Sequence, residues 1–233
     1  RRAVDRSVDQ TLSVRIMKLK LFLPSAGLFT LLLLAGCASV APTPNYDALM
    51  AEMMKTSFRN QGIATVDRLQ QDASNAECSK SEGKPLPEAR SKAIEAANLA
   101  TVKMPADGSF IGDWKEGEKL AQNGRGMTWT DASAATTANG GNCYNCHQLS
   151  KAEISYGTIG PSLYNYGKLR GDADPASPAS KAIVEYTWGK LWNSKAYAAC
   201  SNMPRFGHFK LLEEAQIRDI MALLLDPKSP VNQ

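Results

Sequence analysis

Cys143-Tyr144-Asn145-Cys146-His147 sets the terms for the rest of this 233-residue chain. Two cysteines three apart, followed at once by a histidine, form the attachment signature of a c-type haem. The spacing has a chemical reason. Each thiol adds to one vinyl group of the porphyrin, so the two sulfurs must span one edge of the macrocycle, and one helical turn does this. His147 then lies under the iron as the proximal axial ligand, and the choice of axial donors tunes the redox potential.

Two other readings of the same residues have to be weighed. A thioredoxin-like Cys-x-x-Cys pair should sit in a βαβ pattern, which the sequence does not show. A structural zinc site needs four ligands. Beyond the motif only Cys200 and His208 could complete it, and their eight-residue separation is not a usual ligand spacing. Covalent haem c is the expectation.

The formal charge of +4 comes from the first 36 residues, which hold six of the 27 Lys/Arg and two of the 23 Asp/Glu. From Cys37 onward the chain carries 21 of each, so charge argues for no nucleic-acid partner. Met17-Lys18-Leu19-Lys20 followed by the apolar run Leu21 to Leu34 has the form of an export signal, too short for a comfortable membrane span. Residues 1–16 carry charges without an apolar period and read as an over-extended start, with Met17 the initiator. Leu34-Ala35-Gly36-Cys37 resembles a bacterial lipobox, so Cys37 is the expected lipidation site; the plainer alternative is an ordinary cleavage site close by. Either way the product is exported. A periplasmic location suits haem attachment and permits disulfides, and Ala38 resembles the residue of lipoproteins sent to the outer membrane.

Ala41-Pro42-Thr43-Pro44 is a short stiff linker. Leu49, Met50, Met53, Met54 and Phe58 then recur at helical spacing over residues 47–59, a pattern that predicts core filling rather than metal ligation. Further helices are predicted over 66–79 and from Pro87 to Ala100, the latter with Pro87 at its first position. These form a helical extension ahead of the haem region.

In the haem region, residues 112–123 predict a helix with Trp114, Gly117, Leu120 and Ala121 on one face. Its place resembles the first helix of a cytochrome c, which crosses the C-terminal helix closely at a glycine. Thr130 to Gly141 reads as a mobile loop. Gly157-Thr158-Ile159-Gly160-Pro161-Ser162-Leu163 resembles the cytochrome c loop whose proline carbonyl accepts the histidine Nδ1–H and presents Nε2 to iron; a plain turn is the alternative. Lys181 to Ala198 predicts a helix with an aromatic face. Met203-Pro204 offers a soft sixth ligand in a stiffened loop before the last helix. His208 is the rival, giving a bis-His haem of lower potential, and Met104-Pro105 falls before the haem motif. Glu213 to Leu225 is the closing helix, with Glu214, Arg218 and Asp219 available to face water, and Asp226-Pro227 stops it before a short tail. Cys78 and Cys200 are an even remainder. In an oxidising compartment they are expected to pair, the alternative being two separate reduced thiols.

Taken with Tyr166-Gly167, Met203-Pro204-Arg205-Phe206-Gly207 and the 216–232 ending, these segments resemble the SoxX family from about Gly112 onward. SoxX proteins are monohaem cytochrome c subunits of the SoxAX complex of bacterial thiosulfate oxidation. The resemblance implies a His147/Met203 haem and a heterodimer with a SoxA-like dihaem or monohaem cytochrome. It implies electrons accepted from the SoxA haem and passed to a downstream cytochrome, with the SoxYZ carrier engaged indirectly. The complex acts as an L-cysteine S-thiosulfotransferase whose catalytic centre lies in SoxA, so no catalytic residue is expected here. Competing functions are a free-standing electron shuttle, a haem peroxidase with an open iron position, and a lipid-anchored structural module. The expected architecture is all-α: a leader over 1–36, a linker and helical extension over 37–108, and a class I cytochrome c-like domain over 109–233.

Overall fold

Caps, proline stops and apolar spacing divide the chain into seven α-helices among the residues described, 43–170 and 174–233, in a computed structural model. The leader and Cys37 lie outside the described residues, as does the start of the 172–179 loop. The helices are α1 (Tyr46–Ser57), α2 (Ala73–Lys80), α3 (Glu88–Leu99), α4 (Trp114–Gln122), α5 (Tyr166–Arg170), α6 (Lys181–Trp192) and α7 (Glu214–Leu225). Among the described residues there is no β-strand, and no helix is long and apolar enough to cross a membrane. Ala48–Gln233 form one compact unit, so α2 and α3 belong to the same body as the haem region.

Local chemistry explains several boundaries. Asp72 caps α2 by accepting the Asn75 N–H at 2.8 Å, and Asp113 caps α4 by accepting the Lys115 N–H at 2.8 Å. Glu213 and Gln216 form a reciprocal capping box that starts α7. The cap at Asp72 also corrects the helix predicted over 66–79. A 3-10 turn covers Val66–Leu69, the chain extends through Gln70, and α2 begins afresh.

The centre of the unit is the crossing of α4 over α7. A Cβ on Gly117 would lie 2.1 Å from the Asp219 carbonyl oxygen, so only glycine allows the approach. The start of α4 is stitched to α7 by Gly112 N–H to the Arg218 carbonyl (2.9 Å) and Asp113 N–H to Asp219 Oδ1 (2.8 Å). Arg218 and Asp219 thus serve packing rather than simply facing water, and Arg218 is also paired with Asp107 and Glu214. Below the crossing, Leu149, Trp188, Ile217, Ile220, Met221, Leu223 and Val231 are fully buried. Burial of such side chains contributes about 1.5–3 kcal/mol each, the main drive for this arrangement.

Three further expectations change, and the packing of the C-terminal tail is new. The Met-rich face of α1 fills no core: none of its residues is buried, and Leu49, Met50 and Met53 are each more than half exposed. The 181–198 helix stops at Trp192, because Asn193 turns its fully buried amide toward α3 and restarts the chain as a 3-10 turn over Ser194–Ala196. The loop before the haem motif is pinned, with buried Asn139 donating to the Leu211 carbonyl at 2.9 Å. The C-terminal tail is packed: Asn232 is fully buried, donates to the Leu224 carbonyl and accepts the Gly167 N–H at 2.9 Å, holding the short helix α5 that local patterning does not announce.

Candidate haem site

The attachment motif is presented by a single 3-10 turn, Cys143–Asn145, entered through Asn142 in the left-handed region at φ 50°. Cys146 and His147 N–H groups both donate to the Cys143 carbonyl, at 3.1 and 2.9 Å. Both cysteines are free and half-buried. Burial pushes the Cys143 thiol up to about 12. It is outside any disulfide and so is free for thioether formation.

The 157–163 loop lies directly against this turn. The Gly157 N–H donates to the Tyr144 carbonyl at 2.9 Å, the Gly160 N–H to the Cys146 carbonyl at 2.8 Å, and the Leu163 N–H to the Gln148 carbonyl at 2.8 Å. A Cβ on Gly160 would sit 2.1 Å from His147 Cε1, so the missing side chain is what lets the imidazole lie on the loop. His147 Nδ1 is 2.7 Å from the Pro161 carbonyl oxygen, which can only accept. Nδ1 therefore carries the proton, and Nε2 is left with a lone pair for a metal.

Met203 is half-buried and packs, with Cys143, Leu163 and Trp192, against one and the same hydrophobic core. Its backbone is held on both sides: its N–H donates to Ser201 Oγ at 3.2 Å and its carbonyl accepts from Ser194 Oγ at 2.6 Å. The rivals are placed differently. Met104 is about half exposed. The His208 ring stands edge-on to Phe209, and burial together with the nearby Arg205 charge lowers its pKa. Cys200, the other candidate for a zinc set, is bonded to Cys78, and no group of three or more His, Cys, Asp or Glu is placed to hold a metal ion among the described residues.

The extension reaches this site by three routes, of which the sequence led us to expect only the disulfide. The Cys78–Cys200 disulfide ties α2 to a point three residues before Met203. Buried Arg205, two residues after it, pairs with Asp72 at 2.5 Å. Asn193 donates to Asn98 Oδ1 at 3.0 Å and to Thr101 Oγ1 at 2.9 Å. A buried asparagine late in α3 was the one available signal, since an amide there needs partners.

These residues fit haem c: two free thiols at the vinyl spacing, an oriented imidazole, and a thioether packed on the same core. Residues 115–227 match the cytochrome c family. An uncharacterized lipoprotein of Aquifex aeolicus (strain VF5) is similar, 38% identical over 138 residues, which cover 58% of this chain and 59% of that protein. The chain thus spans less than two thirds of that relative's length. The chain carries a cytochrome c domain, whose cofactor is covalently bound haem c and whose chemistry is electron transfer.

Proposed function

We propose that this chain is the electron-transfer subunit of a SoxAX-like L-cysteine S-thiosulfotransferase, with His147 and Met203 as axial ligands. The 2.7 Å contact from His147 Nδ1 to the Pro161 carbonyl supports the haem-ligand part of this reading, because it prepares Nε2 as a fixed donor. Bound haem supplies a one-electron couple between ferric and ferrous iron. Cys143 and Cys146 would anchor it, Pro161 holds the proton on His147 Nδ1, and Met203 would offer the iron a neutral thioether, a donor type that raises the potential. Pro204 and the hydrogen bonds on either side of Met203 keep the sulfur in place between redox states, so little reorganisation accompanies each electron. A closed iron favours electron transfer over peroxidase chemistry.

Joining a carrier thiol to thiosulfate, RSH + S2O3²⁻ → RS–SSO3⁻ + H⁺ + 2e⁻, releases two electrons. A single-haem subunit takes them one at a time from a SoxA-like partner and passes them to a later cytochrome. The support for this partner is the resemblance of two segments, 157–163 and 203–207, to the SoxX family. The leader and the lipobox-like stretch ending at Cys37 support a periplasmic protein anchored by lipid to the outer membrane. The test is thiosulfate-dependent cytochrome reduction with SoxA and SoxYZ present and this chain added or omitted. Reduction that needs this chain supports the reading. Reduction indifferent to it, with haem intact, points instead to a free shuttle. At the ligand level, the parent protein should show the sulfur-to-ferric-iron absorption band at the red edge of the visible, and Met203→Ala should abolish it.

A further inference from the structure

The Cys78–Cys200 bond forms part of a groove of about 720 Å³ that the haem chemistry leaves unused. The groove is walled by polar and apolar surface together, with Asn75, Ser79, Lys195 and Asn202 among its side chains. Its two sulfurs are not equivalent. Cys200 is exposed, whereas Cys78, on α2, is half-buried. Lys195 is buried, 4% exposed, and its ammonium is held by a donated hydrogen bond to the Ala199 carbonyl at 3.0 Å. That ammonium lies 3.9 Å from Cys78 Sγ. A cation beside a sulfur favours its thiolate, and a sulfur that is the better thiolate is the better leaving group in exchange. One sulfur is therefore open to attack and the other is placed to leave.

We propose that Cys78–Cys200 is a thiol-exchange site whose substrate is a dithiol. The donor thiolate attacks Cys200 Sγ and forms a mixed disulfide there. The Cys78–Cys200 bond breaks, and its electron pair goes to Cys78 Sγ beside the Lys195 ammonium. The second thiol of the same donor then attacks its own sulfur in the mixed disulfide, and Cys200 leaves as a thiolate. Two electrons and two protons pass from the dithiol to the protein, and the donor ends as a disulfide. The volume suits an extended peptide segment that carries two cysteines. Exchange cuts the one covalent link, among the described residues, between α2 and the segment leading to Met203. This exchange is independent of the SoxAX reading and of the identity of the sixth ligand.

The test uses the folded, haem-loaded full chain, in which Cys143 and Cys146 are already consumed. Brief exposure to glutathione, an acid quench with a maleimide and peptide mapping by mass spectrometry should place glutathione on Cys200 and maleimide on Cys78, with at least a tenfold preference over the reverse. Glutathione on Cys78, an even distribution, or no reaction without denaturant would overturn the proposal. Lys195→Met should slow reduction by dithiothreitol about three- to tenfold, while Lys195→Arg stays within about twofold of the parent. An unchanged rate in a folded Lys195→Met protein removes Lys195 from the site. If that variant does not fold, the position of the glutathione adduct in the parent decides the matter alone.

Discussion

A single carbonyl oxygen determines what His147 can do. Because Pro161 accepts at Nδ1, the imidazole is held as one tautomer in one orientation, the order a metal ligand needs before the metal arrives. The same logic of one partner fixing another governs Arg205. Its guanidinium is buried, lies over the Phe209 ring at 4.3 Å, and is neutralised by Asp72. Burial raises the Asp72 pKa, but the Asn75 N–H, Arg205 and Lys195 together outweigh it, so the carboxyl sits below its ordinary 3.8. A folded-state pKa below the unfolded one means the contribution is complete above the unfolded value and is lost as pH falls through the lower folded value. Asp72→Asn keeps an acceptor for the α2 cap but removes the charge. It should destabilise the protein by about 1–3 kcal/mol at neutral pH, discounted for the partial exposure of Asp72. It should also flatten the acid-side fall in stability between about pH 5 and pH 2, which urea titrations across that range would measure.

At the scale of elements, two helices are held by what is missing from one of them. Gly117 lets α4 rest on the backbone of α7, where a Cβ would also come within 3.0 Å of Leu223 Cβ. Retreat is blocked by the bonds from Gly112 and Asp113 to α7. Gly117→Ala gains a little helix propensity, yet should destabilise the protein by about 1–3 kcal/mol through overpacking. Guanidinium unfolding followed in the haem absorption would show it as a lower midpoint with an unchanged slope. The helix ends taught a different lesson. The closing helix was legible because its apolar side, capping residues and Asp226-Pro227 stop are all local. The break at Asn193 was not, because the partners that reward a buried amide, Asn98 and Thr101, lie more than 90 residues away. The exposed face of α1 shows the converse: apolar period 3.6 reports a helix, and whether anything covers that face is not a local property.

For the whole molecule, the extension acts as a clamp on the segment that carries Met203. The disulfide closes 122 residues of chain and should stabilise the fold mainly by restricting the unfolded ensemble. Replacing both Cys78 and Cys200 by serine should lower stability by about 2–5 kcal/mol while haem remains attached through Cys143 and Cys146, a pairing of results that denaturation and haem-stained electrophoresis would check. By itself the sequence determined the haem-attachment motif with its adjoining histidine, the helical class and the even remainder of two cysteines. Each of these follows from short spacing or composition, where neighbours in the chain are neighbours in space. The tertiary structure alone decided that α2 and α3 reach around to the segment carrying Met203, through Asp72–Arg205 and Asn98–Asn193, and that the tail is packed against α5. It also decided that the Lys195 ammonium stands 3.9 Å from Cys78 Sγ. Such contacts join residues far apart in the chain, and they form only because burying the α4–α7 core brings those residues together.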